Sequence, residues 1–106
     1  MLSILRLLFG RTVVRTQNLP LMEGFLIEHL KESGFPDTER IPKAVRTLLL
    51  EEALRRAAEK EKDGQPRSNE FFEQTKLVAS AIIAAFNGDA DADPRVKNIL
   101  VFHKVL

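Results

Sequence analysis

Cysteine is missing from this chain of 106 residues, and with it go disulfides, thiolate nucleophiles and zinc–thiolate centres. That absence fits a reducing compartment, and a cytoplasmic location is the expectation. Tryptophan and tyrosine are missing too, so seven phenylalanines supply every aromatic ring. Arginine is then the one member left of the trio that dominates protein interfaces. Histidine is scarce: His29 and His103 stand alone, neither in a Gly-rich turn nor near a nucleophile elbow, so no serine or threonine has a base beside it to activate it. The five glycines occur singly at helix ends and turns, which excludes a phosphate-cradling loop. Glu28 and Glu32 flank His29 at spacings that do not match the Glu-x-x-His pairs of metal-binding bundles. Sixteen basic against fifteen acidic residues leave a net charge of +1, so no global field draws the chain to nucleic acid or anionic lipid. No apolar run approaches the roughly 20 residues that cross a bilayer. These absences predict a non-catalytic protein with no cofactor, no metal and no small-molecule substrate.

What is present is helical patterning. With 44% apolar and 29% charged residues, the chain reads as one helical domain over 1–106, large enough to bury roughly two-thirds of its unfolded surface. The stretch 69–87 organises the rest. On a helical wheel Phe71, Phe72, Val78, Ala79, Ile82, Ile83 and Phe86 share one broad face, extended by Ala81 and Ala85. Only Glu73, Lys76, Ser80 and Asn87 form a polar strip. An ordinary surface helix carries a narrower apolar stripe, so this one should lie centrally with helices on several sides. Ser68 or Asn69 is placed to cap its start, and Asn87-Gly88 to close its end. The expected fold is all-α: a bundle of four to five helices around the one at 69–87.

The other elements follow from apolar spacing and breakers. The opening MLSILRLLF is apolar except at Ser3 and Arg6, and a helix there presents Leu5, Leu8 and Phe9 as a partner-binding face. The same face beside Arg11 and Arg15 also suits peripheral contact with a membrane surface. Residues 12–17, TVVRTQ, are β-branched enough for a short strand. Asn18 and Pro20 mark the entry to a helix over 21–33 that buries Met22, Phe25, Leu26 and Leu30. Breakers at 35–40 separate it from a helix over 43–62 whose pairs Glu51–Arg55 and Glu52–Arg56 read as a solvated face. After 87, Asp89, Asp91 and Asp93 alternate like the first ligands of a calcium loop. Pro94 then stands where that loop needs glycine, and Leu100 where it needs glutamate. The spacing instead makes this a solvated loop with Asp93 capping a helix from Pro94. The final run RVKNILVFHKVL suits a helix with two apolar faces or a strand, and the pattern leaves both open.

The segment 12–59 resembles the ribbon-helix-helix family of DNA-binding regulators. The strand TVVRTQ leads to a helix ending in ESGF, then a T-E-x-I turn at 38–41 and an A-V-R-x-L-L helix. That resemblance implies a dimer whose paired strands enter the major groove, with Arg15 and Gln17, joined by Arg11, reading bases. Against it stands the surplus of apolar surface at both ends and in the centre, which predicts a helical protein working by protein–protein contact, as a homodimer.

Overall fold

The computed structural model describes residues 19–106. Pro20 occupies the first turn of α1 (Leu19–Glu32), where its missing N–H costs no hydrogen bond. Met22, Leu26 and Leu30, spaced by four, form its buried stripe. A 3-10 turn, Thr38–Arg40, reverses the chain and sinks Ile41 completely. Arg46 holds this corner closed: its guanidinium donates to the Ile41 carbonyl at 2.7 Å and to Glu23 of α1 at 2.8 Å. α2 (Lys43–Lys60) follows directly on Pro42, whose carbonyl accepts from the amides of Val45 and Arg46. After the 61–67 loop come α3 (Ser68–Phe86) and α4 (Pro94–Phe102). The described residues are therefore all-helical, and the run at 95–106 resolves as helix: Asp-Pro nucleates it and its i, i+4 pair Val96 and Leu100 is fully buried.

α3 touches each of the other three helices, as its broad apolar face requires, and α2 does the same. The core is thus a helix pair, with α1 and α4 packed against both members. The α3 face departs from the wheel in five places. Phe71, Val78, Ala79 and Ile82 are buried as expected, but Phe72 lies 39% exposed and Ile83 only partly covered. Phe86 is half-buried, its ring tilted against Phe35 with a centroid separation of 4.9 Å and capped by the Arg40 guanidinium at 4.7 Å. In exchange Thr75 and Gln74 are buried. Thr75 sits one turn after Phe71 and satisfies its hydroxyl by donating to the Phe71 carbonyl at 2.8 Å; the Gln74 amide donates to Glu70. The expected cap from Ser68 or Asn69 is absent. Ser68 is already helical, the cap position falls on Arg67, and no side chain serves the free amides there.

Three of the four helices among the described residues end with the same pair of bonds. In α1 the amides of Phe35 and Gly34 donate to the Leu30 and Lys31 carbonyls; in α3 those of Asp89 and Gly88 donate to Ala84 and Ala85. α4 repeats the pattern, with Val105 to Leu100 at 2.8 Å and Lys104 to Val101 at 3.0 Å. This closure needs a left-handed residue, and α1 and α3 use Gly34 (φ +96°) and Gly88 (φ +75°). α4 uses Lys104, at φ +62°.

Candidate interaction surfaces

The pairing of Glu52 with Arg56 occurs as expected, but it is no solvated face. The Glu52 side chain is 8% exposed and accepts hydrogen bonds from Arg55 and, at 2.7 Å, from Arg56. Arg95 of α4 approaches its other oxygen at 3.7 Å. Arg56 also grips Asp93 with both terminal nitrogens, at 2.7 and 2.9 Å. Glu51 takes no part: Arg55 turns to Glu52 and Glu59. Burial pushes the Glu52 carboxyl up, but the hydrogen bonds from Arg55 and Arg56 outweigh it and leave the group below the usual carboxylate range. Asp93 is also lowered, chiefly by its hydrogen bonds from Arg56 and against the effect of burial, with the Val96 and Arg95 amides adding to the shift. Asp93 is therefore both the α4 cap and the bolt between α4 and α2. The signal was in the sequence as Glu52-x-x-Arg55-Arg56. What it could not carry was that Asp93, 37 residues on, converges there.

The loop after α2 holds an open depression of about 400 Å³ lined by Glu61, Lys62, Asp63 and Arg67. Arg67 spends its charge on Glu61 and Asp63 at 3.4 and 3.2 Å. His29 stacks on Phe25 at the edge of the core, and His103 meets the edge of Phe102. Among the described residues no three histidine or acidic side chains gather into a metal-binding group, and no helix is long and apolar enough to cross a membrane.

Among the described residues, large apolar side chains cluster at the surface in two places that differ in charge. The first is the seam between α1 and α3. Leu21 is 78% exposed one turn from Phe25, and Phe25 meets Phe72 edge-on at 4.8 Å. Around it both signs of charge occur: Glu28 and Glu32 are exposed on α1, and Glu73 pairs with Lys76 on α3. Leu77, also exposed, stands about 140° round α3 from Phe72 and belongs to another side. The second place is the outer face of α4, where Val101, Phe102 and Leu106 are 50%, 80% and 44% exposed. The partner face expected at Leu5, Leu8 and Phe9 and the groove readers expected at Arg11, Arg15 and Gln17 lie outside the described residues, as does the strand at 12–17. Of the segment 12–59, the described residues form α1, the 3-10 turn and most of α2. Comparison of the chain with protein-family models, curated proteins and solved structures finds no match.

Proposed function

We propose that this is a non-catalytic helical protein that acts through protein–protein contact, as a homodimer formed across the α1–α3 seam. The observation that carries the reading is Leu21 and Phe72 exposed on either side of Phe25. Contiguous apolar surface of this kind is stabilised by removal from water, at roughly 25 cal/mol per Å² buried. The mixed charges around the seam suit a second copy. A two-fold contact sets each patch against itself, which works where acids and bases alternate. Leu5, Leu8 and Phe9 add apolar side chains to the same economy and are proposed as part of the interface.

Sedimentation equilibrium of the full chain tests the reading. Dimer is expected, with Leu21→Ser/Phe72→Ser converting it to folded monomer and deletion of residues 1–10 weakening it. A monomeric full chain sinks the proposal. So does salt-sensitive binding to duplex DNA that Arg15→Ala abolishes, which favours the regulator reading. Co-sedimentation with anionic vesicles that depends on residues 1–10, in a chain monomeric with or without them, favours membrane association instead.

A further inference from the structure

We infer that the outer face of α4 is a docking surface for an acidic amphipathic segment of a different protein. The inference rests on the contact reading above but not on the dimer. On the helical wheel the exposed arc of α4 runs Lys97, Val101, Asn98, Phe102, Arg95, so two apolar side chains lie between two cations. Phe102 is 80% exposed, an unusual position for the largest side chain of a short helix. Beyond the arc come His103, Lys104 and Leu106, all exposed. From 94 to 106 there is no acidic residue. Lys97 and Lys104 make no ion pair among the described residues, and Arg95 is 64% exposed with Glu52 as its single, distant partner. The nearest acids are Glu52, which Arg95 approaches at 3.7 Å, and half-buried Asp93, one turn before Lys97, and both are already held by Arg56. The nine-residue helix carries the chain roughly 14 Å from its start to Lys104. That is beyond the screening length of about 8 Å at physiological salt.

Charge decides the occupant. Two copies of this face brought together oppose cation to cation, so it does not suit the self-association that the mixed α1–α3 seam allows. A helix carrying leucine-like side chains with acidic residues on both flanks matches the order cation, apolar, apolar, cation. It buries Phe102 and pairs Lys97 and Arg95 across its edges. Lys104 is the second, independent observation. The two other helices that close by the same hydrogen bonds put glycine in the left-handed position, whereas α4 holds a lysine in a conformation that L side chains rarely adopt. The strained position, where glycine fits more easily, points to a use for its side chain, which is a cation at the end of the patch.

Fluorescence anisotropy on the full chain tests this with two labelled synthetic helices of on the order of 16 residues. Both have leucines at i, i+3, i+4 and i+7; one carries glutamates elsewhere, the other lysines. The acidic helix should bind and the basic one should not, with affinity falling as salt rises. Phe102→Ser and Lys97→Glu/Lys104→Glu should each weaken binding roughly tenfold or more. Lys104→Gly separates folding from recognition: it should melt at higher temperature yet bind less. Leu21→Ser/Phe72→Ser should leave peptide binding unchanged even if it dissolves the dimer, so the two readings fail separately. Equal binding of both helices, or indifference to Phe102→Ser, overturns the inference. Phosphatidylserine vesicles or duplex DNA held through Phe102, Lys97 and Lys104 while the acidic helix is ignored overturn it equally.

Discussion

Ile82 and Glu52 show two ways in which one side chain holds this protein together. Ile82 is wholly buried on α3, the helix that all others touch. Removing its outer carbons loses their transfer free energy and leaves a cavity that the rigid α2–α3 pair cannot collapse into. Ile82→Ala should cost about 2–5 kcal/mol, measured by urea denaturation. Glu52 is buried only because two arginines donate to it. Glu52→Ala takes a shared carboxylate from Arg55 and Arg56, but Arg55 keeps Glu59 and Arg56 keeps Asp93, so the expected loss is about 1–3 kcal/mol. Lys104 acts in the other direction. Glycine there relieves a left-handed strain of roughly 1–2 kcal/mol and gains freedom in the unfolded chain, for a net stabilisation of about 0.5–1 kcal/mol. A melting curve for Lys104→Gly that falls below the parent would refute the strain.

At the scale of elements, α4 is the piece whose attachment is most electrostatic. It is nine residues long and buries only Val96 and Leu100 fully, too short a helix to persist alone in water. Asp93 compensates twice, accepting from the Arg95 and Val96 amides and from Arg56 of α2. Asp93→Ala should therefore cost more than an ordinary cap, at or above the upper part of the usual range of about 0.5–2 kcal/mol, with amide exchange in 94–102 accelerating first. The linkage to pH has a definite sign. Both Asp93 and Glu52 have carboxyls held below their unfolded values, so their contribution is present above the ordinary carboxylate range. It is lost as pH falls through the lower folded values, starting near pH 4. Stability of the parent should drop across that window, and Asp93→Asn/Glu52→Gln should flatten the drop. An unchanged slope would mean that neither group is held as the structure places it.

For the whole molecule, the surfaces left over matter as much as the core. The α1–α3 seam and the α4 face both expose apolar side chains, one among mixed charges and the other flanked by cations, and the two proposals together require one molecule to hold a copy of itself and a second kind of partner at once. A chain that dimerises through Leu21 and Phe72 and still binds an acidic helix should give a complex of two chains and two peptides by mass photometry or sedimentation. If peptide binding instead separates the dimer, the two faces are not independent.

Local chemistry alone determined much of this. Pro20, Pro42 and Asp93-Pro94 start helices and Gly34 and Gly88 end them, because proline and glycine act through their own backbones whatever surrounds them. The apolar width of α3 required several packing partners before any partner was known. Tertiary structure decided the rest: that α2 shares the centre, that Thr75 goes in while Phe72 stays out, and that Glu52 is buried. A wheel gives the angle of a side chain but not the distance at which another helix passes. An ion pair between Arg56 and Asp93 exists only once α4 has folded back across α2. Whether surplus apolar surface ends in the core or on a face ringed by one sign of charge is likewise settled by the neighbours each helix acquires, which no local spacing encodes.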